Sequence, residues 1–146
     1  MRLQLVDRID DHVPWRSISA RKLTSLSEDI WQGSPPEMAQ ALVLESLGQA
    51  GGWLIVLSSQ GARRGLLVSI GEVSFGDPVR PGDVIELEGR IDSSSDEAAV
   101  MSGRATVAGR TVLEADGLMC VLVDAGTLEN PQHTEAARLL LVGSRA

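Results

Sequence analysis

Few residues in this sequence are equipped for chemistry, and one of them stands alone. Glu45 is the single charged side chain between Glu37 and Arg63. A carboxylate buried without a partner is unfavourable. Glu45 is therefore expected to line a pocket as a candidate acid or base, with a structural bond to Gln49 or an arginine as the alternative. Gln49 lies four residues on, so a helix would put the two on one face. Ser34 follows Gly33 and precedes Pro35 and Pro36. No base lies near it in sequence, and it reads as a helix cap rather than a nucleophile. His12 and His133 read as surface or loop residues, and Cys120, in an apolar stretch, as inert core. One cysteine and two histidines without ligand spacing leave no metal site, and no cofactor is expected.

The elements that must hold these residues follow from the pattern. Leu3 to Ile9 and Trp15 to Leu23 favour extended structure on either side of Asp10 to Pro14, which predicts a hairpin. Pro35 and Pro36 suit the first turn of a helix, where their missing N–H groups are not needed. That helix is predicted over Glu37 to Ser59, with Met38, Ala41, Leu42, Leu44, Leu47, Leu54 and Leu57 on a helical spacing, so apolar all round that it must be wrapped. At about 1.5 Å per residue it would run roughly 33 Å and cross the middle of a sheet. Gly48, Gly51 and Gly52 each weaken it by about 1 kcal/mol relative to alanine, which points to tight packing or to close approach of another backbone or a ligand.

Beyond Gln60 the pattern turns to strands over Leu66 to Phe75, Val84 to Ile91, Ala98 to Val107 and Arg110 to Val123, an antiparallel run with one wet face. From Asp124 the chain reads as loop to Gln132, then a short helix from Glu135 to Val142. Two strands, one long helix and four strands predict an α+β hotdog fold, an antiparallel sheet wrapped around a central helix. Residues 1–123 form the single domain and 124–146 a C-terminal tail. A chain of 146 residues is enough for one core.

With 13 basic and 20 acidic residues, net −7, no basic surface for nucleic acid or an anionic membrane is suggested. Aromatic residues at 3% leave no base-stacking platform. No apolar run approaches the roughly 20 residues of a membrane span, and the N-terminus lacks the apolar core of a signal peptide, so the cytoplasm is the expected compartment.

Trp31-Gln32-Gly33, followed by Leu42-Val43-Leu44-Glu45-Ser46-Leu47-Gly48-Gln49-Ala50, resembles the core of the β-hydroxyacyl-(acyl carrier protein) dehydratases. That core reads approximately F-x-G-H-F-P, then P-G-V-L, then L-x-x-E-A-x-A-Q-A. Leu5-Val6-Asp7-Arg8-Ile9 is like the family's opening L-V-D-R-V, Val79-Arg80-Pro81-Gly82-Asp83 like its V-x-P-G-D turn, and Val107 to Cys120 like its late strands. The resemblance implies Glu45 as the helix carboxyl that works with the family's histidine, Gln49 as its orienter, and Gly33 and Gln49 beside the substrate. It also implies an acyl carrier protein or CoA thioester as partner, a role in fatty acid or polyketide synthesis, and a homo-oligomer, dimer or trimer of dimers. Arg63 and Arg64 are candidates to meet the carrier protein or its phosphopantetheine phosphate, with a solvated loop as the alternative.

The family's general base is the histidine of G-H-F-P, and here Ser34 follows the glycine. The stretch from Gly33 to Glu45 is also about three residues shorter, and the P-G is missing. Taking an α-proton beside a thioester needs a base poised near neutral pH, which a serine hydroxyl does not supply. The expected function is an acyl-thioester-binding protein of dehydratase type, an atypical or weakly active hydro-lyase. The alternatives are a non-catalytic partner in a heterodimer whose other chain brings the histidine, a thioesterase using Glu45 on water, and a structural or regulatory domain without an acyl ligand.

Overall fold

In the computed structural model, which describes residues 4–127 and 131–142, one strongly bent antiparallel sheet carries almost all the strands. They are β1 (Arg8–Val13), β2 (Ser17–Leu23), β5 (Arg63–Ser69), β6 (Glu72–Phe75), β7 (Val84–Ser94), β8 (Ala98–Val107) and β9 (Arg110–Asp124). The order is β1-β2-β7-β8-β9-β5, with β6 continuing beside β9 along the same edge as β5. A separate two-stranded strap, β3 (Trp31–Gln32) with β4 (Glu37–Met38), leads into α1 (Gln40–Ser58). A short 3-10 turn (Ala125–Thr127) and α2 (Pro131–Val142) end the described chain. This is the hotdog fold.

The helix and sheet hold each other through complementary apolar faces. In α1, Val43, Leu47, Ala50, Leu54 and Ile55 are buried, each three or four residues from the next except where Ile55 follows Leu54. Fully burying a leucine or isoleucine side chain stabilises by about 1.5–3 kcal/mol. On the sheet side β7 alternates, with Ile85 and Leu87 inward and Glu86 and Glu88 in water. Across the wet face Arg104 reaches Glu88 at 3.0 Å.

Three expectations about α1 are corrected. The helix starts at Gln40, not Glu37, because residues 31–38 pair as the strap and the prolines sit in its turn. Ser34 caps nothing; the helix N-cap is Ala39, which makes no side-chain capping bond. The helix is also wrapped on one side only, and Ala41, Glu45 and Gly48 are exposed on the other. Of the glycines, Gly51 packs against Met101, whereas a side chain on Gly48 or Gly52 would meet nothing within 4 Å. By length and composition α1 could cross a membrane, contrary to the sequence expectation, but its buried face makes it the core helix of this fold.

The first hairpin is displaced. Residues 10–12 lie inside β1, and the turn falls at Pro14-Trp15-Arg16, where Trp15 takes φ 58° and its N–H donates to Ser58 Oγ at 2.7 Å. Leu5 and Val6, expected in a strand, precede it. The Leu5 N–H donates to Gln49 Oε1 at 2.8 Å and its carbonyl accepts from Ser46 Oγ at 2.5 Å, so α1 supplies the partners a neighbouring strand would have given. The expected strand from Leu66 to Phe75 is broken into β5 and β6 at Ile70-Gly71. α2 begins at Pro131, inside the segment expected as loop, and packs on β1 with Leu141 buried.

The two sheet edges differ. β1 carries Asp10 and Asp11, with Arg21 paired to Asp10 at 2.8 Å, and α2 lies against it. β5 exposes Leu66, Leu67 and Val68 at 45%, 49% and 56%, with Met119 and Val121 of β9 beside them. Charge blunts the first edge as edge strands normally require, whereas the middle of the second, Leu66 to Val68, is apolar and exposed.

Candidate functional site

At the N-terminal end of α1 the strap, the helix and the β6–β7 connection enclose a cleft of about 610 Å³. Met38, Val43, Phe75, Val79 and Val112 form its apolar wall, and Gln32, Glu37, Gln40 and Asp77 its polar lip. The pairing of β3 with β4 explains this split: Gln32 opposes Glu37 on one face of the strap, while Met38, 3% exposed, turns into the core. The strap is tied to the fold by Met38 N–H donating to the Val79 carbonyl at 2.9 Å. Arg80 completes the closure, with Nη1 donating to the Pro36 carbonyl at 3.4 Å and Nη2 3.3 Å from Glu37 Oε1. On the other lip Arg110 Nη1 lies 3.1 Å from Asp77 Oδ2.

The chain's only lysine anchors the segment that leads into the strap. Lys22 is 3% exposed, and its ammonium donates to Glu28 Oε2 at 2.7 Å and to the Leu23 carbonyl at 2.9 Å, with Asp7 Oδ2 3.3 Å away. Glu28 Oε1 in turn accepts from Ser25 N–H at 2.9 Å, and the Ser25 carbonyl accepts from the Trp31 indole at 2.9 Å. A cation removed from water is tolerable only when its donors are satisfied in this way. The consequence is a fixed Trp31 at the root of the strap.

Glu45 is exposed, on the open side of α1. Gln49 Nε2 donates to its Oε1 at 3.4 Å. The sheet leaves that side of the helix uncovered, and Glu45 is not among the residues that line the cleft. Glu45 lies four residues beyond Ala41, which lines the cleft, so the carboxylate stands one helical turn from the cleft on the same face. Gln49 does bond Glu45, and it also holds the N-terminal segment through Leu5. Gly33, at φ 81°, and Ser34 form the exposed turn of the strap, between the cleft residues Gln32 and Glu37.

The other chemically able residues lie elsewhere. His12 is on β1, at the sheet edge opposite β5. His133 falls within α2, and its side chain lies outside the described residues. Cys120 is in the core, where burial pushes its thiol pKa up, away from reactivity. Arg63 Nη1 is 3.3 Å from Asp124 Oδ1, and its Nη2 donates to the Asp96 carbonyl. Arg64 is 6% exposed and donates to the Arg63 carbonyl at 2.9 Å. These bonds tie the start of β5 to the end of β9. Sequence reasoning missed the cleft because Pro35, Pro36 and Glu37 were read as a helix start. The Glu37-Met38 polar–apolar step was the one local sign of a strand.

The FabA-like domain family matches residues 2–116 of the chain. A 3-hydroxyacyl-(acyl-carrier-protein) dehydratase FabZ from Nitratidesulfovibrio vulgaris is 38% identical over 117 residues, 76% of this chain and 76% of that protein. The chain belongs to the FabA-like family. A second FabZ, from Oleidesulfovibrio alaskensis, is 36% identical over 124 residues, covering 81% of this chain and 80% of its own.

Solved structures agree on the fold. A hypothetical thioesterase from Streptococcus pneumoniae, solved with coenzyme A, is 17% identical with a TM-score of 0.61, covering 78% of this chain and 84% of its own. A Streptococcus mutans protein bound to acetyl CoA is 11% identical with a TM-score of 0.64, over 85% of this chain and 92% of that one. The positions compared with the FabA-like pattern lie beside the cleft without lining it: Gly33 and Ser34 are in the strap turn between Gln32 and Glu37, and Glu45 is one helical turn beyond Ala41.

Proposed function

We propose that this FabA-like chain binds an acyl thioester, of acyl carrier protein or CoA, in the cleft at the start of α1, and dehydrates 3-hydroxyacyl groups poorly. The cleft carries the reading. Its apolar wall suits an acyl chain, its polar lip suits the thioester end, and the helix with Glu45 and the turn with Ser34 both adjoin it. Coenzyme A and acetyl CoA in structures of like fold support the same ligand class. Titration calorimetry with a non-hydrolysable acyl-CoA thioether tests it. Binding is expected, and Phe75→Asp, which charges the apolar wall, is expected to remove it. Absence of binding by the unmodified chain would defeat the proposal.

The open edge of β5 supports a homodimer in which two such edges meet and the uncovered face of α1 faces the second copy. The chain is expected to sediment as a dimer at micromolar concentration, and Leu67→Lys, which puts a charge on that edge, to shift it to monomer. A monodisperse wild-type monomer would remove the dimer and any site shared between copies. A heterodimer with a histidine-bearing chain is the second reading, and co-purification of such a chain would favour it.

Glu45 is the proposed acid or base of any residual dehydration. Because its carboxylate is exposed and its bond is to Gln49, Glu45→Gln is expected to change stability by no more than about 0.5 kcal/mol, as for other surface sites. Enoyl product above background should disappear. A large fall in melting temperature with unchanged turnover would instead make Glu45 structural.

A further inference from the structure

We propose that the group in the cleft able to move a proton is Glu37, and that it serves hydrolysis of the bound thioester rather than dehydration. This rests on the acyl-thioester reading above. Only two carboxylates line the cleft among the described residues, Glu37 and Asp77, and Glu45 is not one of them. Glu37 belongs to β4 and follows the Ser34 turn directly, and β3 pairing fixes its backbone opposite Gln32. Arg80 engages only Oε1 of Glu37, at 3.3 Å, and that arginine is itself held by Pro36, with its backbone N–H donating to Asp83 Oδ2 at 2.8 Å. Oε2 accepts no hydrogen bond from the described residues. The carboxylate is thus oriented at one oxygen and unbonded at the other, half-exposed on the polar lip of the cleft.

That arrangement decides between reaction classes. Dehydration must take the weakly acidic C2 proton and expel hydroxide, a far poorer leaving group than a thiolate, and no histidine lines the cleft among the described residues. Hydrolysis asks less. Glu37 Oε2 takes one proton from water as the water oxygen bonds to the thioester carbonyl carbon. The tetrahedral oxyanion collapses, the C–S bond breaks, and the same proton passes from Glu37 to the departing sulfur. The products are a carboxylic acid and a thiol, and no oxidant or second acid is needed. Gln32 and Gln40, whose side-chain amides bond to none of the described residues, stand on the same lip as donors for the oxyanion.

Thiol release from short-chain acyl-CoA, followed beside calorimetric binding of the thioether analogue, tests the assignment in the full chain. Glu37→Gln is expected to lower kcat about 100-fold, the scale of losing a positioned base. Analogue affinity should stay within about threefold and the melting curve unchanged, with partial recovery of kcat in Glu37→Asp. Analogue binding without thiol release by the wild type, or hydrolysis indifferent to Glu37→Gln, would overturn the inference and leave the binding proposal standing. Failure of the wild type to bind the analogue would remove both.

Discussion

Enoyl product is expected to form on this chain about 10²- to 10⁴-fold more slowly than on a family member that carries the G-H-F-P histidine, the usual scale for loss of a positioned general base. The residue at that position is Ser34, in an exposed turn with no base bonded to it among the described residues. Nothing among the described residues takes its place. His12 lies on β1, at the edge of the sheet away from β5 and under α2's side of the fold. Glu45 is bonded to Gln49 and lies outside the cleft, one helical turn beyond Ala41, which is poor ground for a base that must reach a C2 proton. The measurement is a side-by-side assay of 3-hydroxyacyl carrier-protein substrate with the Nitratidesulfovibrio vulgaris FabZ. Comparable turnover by this chain alone would mean that a histidine has been recruited, and His12→Asn and His133→Asn would then identify which.

The sheet was legible in the sequence wherever alternation and turn chemistry coincided. Ala98–Val107 is bounded by a polar loop and an Ala108-Gly109 turn, and β8 has those limits. Val84-Ile85-Glu86-Leu87-Glu88 alternates, and β7 buries Ile85 and Leu87 alone of the five. The strap was not legible, since two-residue strands carry no period and Pro35-Pro36 looks the same before a helix as within a turn. The open face of α1 was missed for a different reason. Leu44, Gly48 and Gly52 count as apolar in any periodicity, yet an apolar residue can await a second chain as readily as it fills its own core. Glu45 marked that face correctly as special, because a lone charge in an apolar helix has to look outward or find a partner.

Gly103→Ala is expected to destabilise this chain strongly for so small a change. Gly103 lies on β8 opposite Gly89 of β7, beneath α1. A Cβ there would overlap the Glu88 carbonyl oxygen, sit 3.0 Å from Leu47 Cδ1 and 3.2 Å from Gly89 Cα. Leu47 could turn aside, but the two backbone neighbours belong to the central β7–β8 ladder and cannot yield without parting it. Overpacking of this kind typically costs about 1–3 kcal/mol, and the backbone contacts put the expectation at the upper end, roughly 3 kcal/mol. For a chain of this length that is a fall of about 10 °C in Tm. Gly48→Ala supplies the contrast, for a side chain there meets nothing within 4 Å and alanine suits a helix better by about 1 kcal/mol. As an isolated chain the Gly48 variant should therefore gain stability. If the open face of α1 packs closely on a second copy, the same methyl group should weaken the dimer instead, seen as a higher dissociation constant in sedimentation together with a Tm that rises on dilution relative to wild type. A Gly103→Ala protein as stable as wild type would show that β7 and β8 are farther apart than this packing requires.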